Sequence, residues 1–199
     1  MYPPEYYLER DPEKIYRVME TVRFATMISR TEDDIIVTHI PLILDRHRGK
    51  SGVLIGHMDR NNPHTTYLSD AKVLVIFQGP NAYISPNVFE SSQLPTWNYI
   101  AVHVKGRMVI TESADAVMDS MIKMAGILET GPNPYVLDKA NAKMQHLINH
   151  VIGFEIEILE MTGRFKLSQN KHSVDRLLAR ETLLAESNRI QEALIKSVF

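Results

Sequence analysis

The stretch Tyr99–Ile110, YIAVHVKGRMVI, carries the clearest periodicity in the chain and makes this a β protein. Ile100, Val102, Val104, Met108 and Ile110 alternate with Ala101, His103, Lys105, Arg107 and Val109. A period of two places one set on a core face and the other on a polar face, as in a half-buried strand. Upstream, Val73–Phe77 within AKVLVIFQGP is an almost continuous apolar run, the pattern of a strand covered on both faces, and NAYISP (Asn81–Pro86) reads as a further short strand. Val53–Ile55 reads as a strand that gives way to a loop and helix start in GHMDRNNP (Gly56–Pro63). Before the turn RHRGKSG, the β-branched runs FATMIS, DIIVTHI and LIL read as a strand meander.

Helices flank and interrupt this sheet. Asp11 and Pro12 form an N-cap and first helical residue, with Ile15, Val18, Met19 and Val22 following at helical spacing. Ser113 opens a helix containing Val117, Met118, Met121 and Met124, and GPNP (131–134) separates it from a second one around Ala140–His150. The sheet resumes where Ile152, Phe154, Ile156 and Ile158 alternate with Gly153, Glu155 and Glu157, and GRFKLSQN closes the barrel-like region. From Ser173 to Val198, Val174, Leu177, Leu178, Leu183, Leu184, Ile190, Leu194 and Ile195 predict one long terminal helix with an apolar stripe. The resulting class is mainly β with added helices (α+β): residues 1–172 form one domain, and 173–199 a helix packed on it or on a dimer partner.

The 199 residues are enough for one such domain, and 44% hydrophobic with 23% charged residues is an ordinary globular composition. A net charge of −2 gives no long-range attraction to nucleic acid or an anionic membrane. The absence of cysteine excludes disulfides, thiolate metal sites and a cysteine nucleophile. No basic region leads into an apolar run at the N-terminus and no apolar stretch is long enough to span a bilayer as a helix, so a cytoplasmic protein without a membrane anchor is expected. Among eight histidines only His146 and His150, at i, i+4, have chelating geometry, and no third ligand accompanies them, so no metal site is expected. No serine lies in a nucleophile elbow. His57 and His103 are the available acid–base groups, neither in a catalytic constellation, and no catalytic residue is assigned.

Four polar segments place hydrogen-bonding side chains beside Gly or Pro: GHMDRNNP, QGPNAYISP (Gln78–Pro86), PTWNY (Pro95–Tyr99) and KLSQN (Lys166–Asn170). On residue type alone, Trp97 reads as a packing residue and Arg60 and Lys166 as surface cations. In this order, and together with MYPP, THIPLIL (38–44) and VIGFEIEI (151–158), the segments resemble the PaiB-like regulators of protease synthesis and sporulation, over Met1 to about Arg176.

That resemblance implies an FMN-binding split β-barrel, similar to pyridoxamine-phosphate oxidases, with a long C-terminal helix, acting as a homodimer that binds a flavin nucleotide. It implies a transcriptional regulator; the alternatives are a flavin-dependent oxidoreductase or a haem-binding relative. DNA contact gains no support from charge or motif, because the terminal helix intersperses Arg176, Arg180, Arg189 and Lys196 with Asp175, Glu181, Glu186 and Glu192. The cofactor residues it implies are Arg60 for the phosphate, with Ser85 and the N–H groups near Asn62, since phosphate favours an Arg fork and charge-assisted bonds. For the ring they are Trp97 as apolar wall, with Gln78, Asn98, Lys166 and Gln169 as polar partners and Ser168 beside them. Lys166 is expected to favour a reduced, anionic flavin, and Asn98 and Gln169 to hold the pyrimidine edge.

Overall fold

A computed structural model describes residues 4–67, 71–111 and 113–198. Met1 to Pro3, the start of the MYPP motif, lie outside them. The described strands are β1 (Leu8–Glu9), β2 (Phe24–Arg30), β3 (Ile35–Pro41), β4 (Ile43–Asp45), β5 (Val53–Asp59), β6 (Lys72–Ile84), β7 (Thr96–Thr111) and β8 (Val151–Lys166). The α-helices are α1 (Pro12–Thr21), α2 (Ala114–Leu128), α3 (Ala142–Leu147) and α4 (Ser173–Val198). The strands form one eight-stranded sheet in the order β3-β2-β6-β7-β8-β5-β4, with β1 paired to β8. Among the described residues, no helix is long and apolar enough to cross a membrane.

The chain divides into two compact units, one of Met1–Val18, Phe77–Val102 and Thr162–Phe199, the other of Met19–Ile76 and His103–Met161. In the second unit, β2 alternates as its β-branched and apolar residues dictate, burying Ala25, Met27 and Ser29, and pairs with β3 from Phe24↔Pro41 to Arg30↔Ile35. Ile43, Val53 and Ile55 pack against Met124 of α2, whose first turn is capped by the Ser113 hydroxyl accepting the Ala116 N–H. Gly106 marks the closest approach: a Cβ there would lie 2.2 Å from Cγ2 of Ile156 and 2.8 Å from the Glu157 carbonyl oxygen.

In the first unit, α4 buries Asp175, Ala179, Leu183 and Ser187, spaced by four, with Ala179 and Leu183 against Ala82 and Ile84 of β6. The Asp175 carboxylate accepts the Glu90 N–H at 2.8 Å and the Ser91 hydroxyl, and the Ser187 hydroxyl donates to the Asn81 carbonyl at 3.2 Å. The docking face thus combines Leu183 with the small Ala179, and is hydrogen-bonded at both ends through Asp175 and Ser187. Of the expected leucine stripe only Leu183 is buried there: Leu177, Leu184, Leu194 and Ile195 are 50 to 60% exposed.

The Ser91 hydroxyl and the two backbone N–H groups hold the Asp175 carboxyl below its ordinary value of 3.8. A carboxylate favoured in the folded state stabilises it fully above the unfolded value, and that contribution is lost as pH falls through the lower folded one. The docking of α4 is therefore expected to loosen only in acid below about pH 4. Amide exchange along α4 between pH 2 and 5 reads this, and Asp175→Asn is expected to flatten the dependence.

Three strands run further than their sequence patterns indicate. β5 continues through Gly56 to Asp59 instead of turning into a loop, because its ladder to β8 persists through His57↔Gly153 and Asp59↔Val151. Gly79–Pro80 does not break β6: Gly79 packs closely on Ile100, the Pro80 ring is exposed, and QGPNAYI stays in one strand. β8 extends through GRFK to Lys166, where Gly163 and Arg164 pair with β1.

Candidate functional site

In the second unit, GHMDRNNP is a hydrogen-bonded corner at the end of β5. Asp59 Oδ1 accepts the Asn61 N–H at 2.7 Å and its side-chain amide at 2.9 Å. Asn62 opens a 3-10 turn (Pro63–Tyr67): its Oδ1 accepts the His64 N–H at 2.9 Å and the Thr38 hydroxyl at 3.2 Å, and its carbonyl accepts the Thr65 hydroxyl at 2.7 Å. The Arg60 N–H donates to the His150 carbonyl at 2.9 Å and its Nε to the Asn149 carbonyl at 2.7 Å. The guanidinium is thus oriented through Nε, while its two terminal nitrogens have no partner among the described residues.

His64 is 1% exposed, with Nδ1 2.6 Å from the Thr38 hydroxyl oxygen. The tautomer of His64 decides which of the two donates in this pair. Nε2 is buried without a partner among the described residues, as is Nδ1 of His57. Burial holds both imidazoles below the ordinary 6.5. Groups kept neutral in this way stabilise the fold fully above that value, and the contribution is lost as pH falls from 6.5 through their folded values. The urea midpoint is expected to fall between about pH 7.5 and 5.5, and His64→Gln to reduce the drop.

The other seven candidate residues lie in the first unit. Asn98 and Ser168, 1% and 2% exposed, are joined by reciprocal bonds of 3.1 and 3.2 Å between the amide and the hydroxyl. Ser168 has φ 60°, a left-handed conformation uncommon for serine. Gln169 clamps the same loop, accepting the Leu167 N–H at 2.7 Å and donating to the Phe165 carbonyl. Trp97 is 48% exposed, tilted against Tyr83, its Nε1 donating to Asn81 at 3.2 Å. Lys166 Nζ lies 5.6 Å from the Tyr7 ring centroid. Gln78 is exposed on β6, and Ser85 caps a 3-10 turn through the Asn87 N–H at 3.3 Å. The structure therefore joins Asn98 to Ser168 and seats Gln169 next to them, leaves Trp97, Gln78 and Lys166 presenting surface to solvent, and gives Ser85 a local capping bond.

The first unit also holds a cleft of about 870 Å³. Its apolar lining includes Leu8, Ile100, Phe165, Leu167, Leu177 and Leu184. Lys14, Arg176 and Arg180 bring positive charge to it, and Glu9 is its carboxylate. Burial pushes the Glu9 carboxyl up, but the Asp11 N–H and Lys14 outweigh it and hold it below its ordinary value. Of the candidate residues only Asn98 and Gln169 line this cleft. Sequence reasoning missed its arginines because it took the mixed charges of α4 as solvated; Arg176 and Arg180 at i, i+4 beside Leu177 and Leu184 were the available signal. Among the described residues, no group of three His, Asp or Glu side chains is placed to hold a metal ion.

Two solved structures share the fold: the FAD and heme binding protein from Mycobacterium smegmatis, TM-score 0.63, 12% identity, 87% of this chain and 80% of that one, and the flavocytochrome Anf3 from Azotobacter vinelandii, TM-score 0.62, 12% identity, 82% and 72%. The sheet and its added helices are those of a split β-barrel. Residues 1–160 match the family described as "Putative FMN-binding domain", and the chain belongs to that family. It is 30% identical over 190 residues to the protease synthase and sporulation protein PAI 2 of Bacillus subtilis (strain 168), covering 94% of this chain and 91% of that protein.

Proposed function

We propose that this chain binds FMN and acts as a PaiB-like regulator of protease synthesis and sporulation. The observation that carries the flavin reading is the corner Asp59–Thr65, held by hydrogen bonds yet left with unengaged polar groups. These are the terminal nitrogens of Arg60, a planar fork suited to phosphate. A guanidinium oriented by a backbone carbonyl, with terminal nitrogens that have no partner among the described residues, fits an anionic phosphate ligand. In this reading Arg60 binds the phosphate, with Asn62 and Ser85 as further partners. Trp97 offers its exposed ring as a wall, and Gln78 and Lys166 supply polar contacts. Asn98, Ser168 and Gln169, already bonded to one another or to their own loop, hold the backbone of the ring site in place.

Flavin, once bound, supplies reversible electron transfer. The regulatory role rests on similarity to PAI 2 and is proposed to act through ligand state or a partner protein, since a net charge of −2 and the mixed charges of α4 do not favour direct DNA contact. Homodimer formation is part of the same proposal, supported by the exposed Leu194, Ile195 and Val198 at the end of α4. A flavin-dependent oxidoreductase or haem protein is the second reading, favoured by the flavin- and haem-binding neighbours of this fold.

Titration of FMN fluorescence against the purified chain tests the flavin reading, with saturable quenching expected. NAD(P)H-dependent bleaching of the bound flavin would support the oxidoreductase reading, and a Soret band on adding haem the other. Operator binding that falls steeply with salt would overturn indirect regulation.

A further inference from the structure

We propose that the cleft of the first unit is a second ligand site, separate from the flavin site, for amphipathic anions: an aliphatic or aromatic body bearing one carboxylate or phosphate head. A volume of about 870 Å³ lies within the usual range for small-molecule pockets. Its walls are apolar, with Leu8, Ile100, Phe165 and Leu167 joined by Leu177 and Leu184, both about half exposed. Such a surface favours hydrocarbon or ring over water.

The charge distribution selects the head group. Two cations further along α4 are already paired, Arg189 with Glu186 at 2.5 Å and Lys196 with Glu192 at 2.5 Å. Arg176 and Arg180, one turn apart on the same helix, line the cleft and have no side-chain partner among the described residues. Lys14 is bonded to Glu9 at 3.0 Å, and Glu9 also accepts the N–H groups of Arg10 and Asp11 at 3.0 Å. The carboxylate of the lining is therefore neutralised locally, and the two arginines leave an excess positive charge beside an apolar wall. Paired guanidinium forks suit carboxylate or phosphate oxygens.

The lining distinguishes this cleft from the flavin site: Arg60, Asn62, Gln78, Ser85, Trp97, Lys166 and Ser168 are not part of it. The two flavin candidates that line the cleft, Asn98 and Gln169, already have their amides engaged. The left-handed Ser168, held by buried Asn98, fixes the Leu167–Gln169 segment of the lining.

The test uses the full chain with 8-anilinonaphthalene-1-sulfonate as fluorescent probe, and sodium decanoate, decyl phosphate and decanol as competitors. The expected result is saturable probe binding, displaced by decanoate or decyl phosphate more readily than by decanol. The double variant Arg176→Gln/Arg180→Gln is expected to weaken displacement by the anions about tenfold or more while leaving decanol unchanged. Arg189→Gln, on the same helix and away from the cleft, controls for general effects on α4, and Leu184→Glu is expected to expel the anions by repulsion. Whichever anion displaces better identifies the head group. Equal displacement by decanol and decanoate, or unchanged anion affinity in the double variant, would overturn the proposal. So would competitive displacement of decanoate by FMN, which would make the cleft the flavin site. Failure of FMN to bind while decanoate still binds would remove the flavin reading alone.

Discussion

Gly106→Val is expected to destabilise the protein by about 3 kcal/mol or more, the upper end of the cost of forcing extra atoms into a packed core. Gly106 is buried in β7, and a Cβ there would fall 2.2 Å from the Ile156 side chain and 2.8 Å from the Glu157 carbonyl oxygen. The second neighbour is backbone, which cannot rotate away as the end of a flexible side chain can. Valine adds two methyl groups to that collision. Urea unfolding followed by far-ultraviolet circular dichroism checks it, with a lowered midpoint at unchanged slope as the expected signature. Gly126, where an added Cβ meets nothing within 4 Å, is the control: Gly126→Ala lies inside α2 and is expected to hold or raise the midpoint.

The second large effect falls on binding. Arg60→Ala is expected to weaken FMN binding roughly tenfold to a hundredfold, the equivalent of losing charge-assisted hydrogen bonds of about 1.5 to 3 kcal/mol. The Nε bond to the Asn149 carbonyl orients the guanidinium and leaves its terminal nitrogens for the phosphate. Arg60→Lys keeps the charge but loses the fork and is expected to fall between wild type and alanine. Arg189, paired with Glu186, is the proper surface control. Arg180, which the sequence alone offers as an ordinary surface arginine, lines the cleft of the first unit and does not serve. Fluorescence titration of all four proteins with FMN reads the comparison; equal affinities would remove Arg60 from the flavin site.

The strands were legible because their burial follows their period: Val102, Val104 and Met108 are buried where the alternation of Tyr99–Ile110 places them. Strand ends were less so. Gly56 and Gly79–Pro80 look like breaks, but each glycine sits where two elements approach closely, which depends on partners distant in sequence. The terminal helix was legible as a helix and misleading as a face. Most of its strong apolar residues stay exposed, and beside Leu183 the docking contacts are made by Ala179 and by Asp175 and Ser187, whose hydrogen bonds no periodicity reveals. The candidate site was legible as four polar motifs. Which side chains remain free within them was not, because Asn98 is bonded across 70 positions to Ser168 and Arg60 across 89 to Asn149.

An absorbance spectrum taken after incubation with FMN and desalting tests whether this chain holds a flavin. Flavin bands near roughly 370 and 450 nm are expected to be retained, and to be reduced in Arg60→Ala. A colourless protein that releases all added FMN, with wild type and variant indistinguishable, would contradict flavin binding.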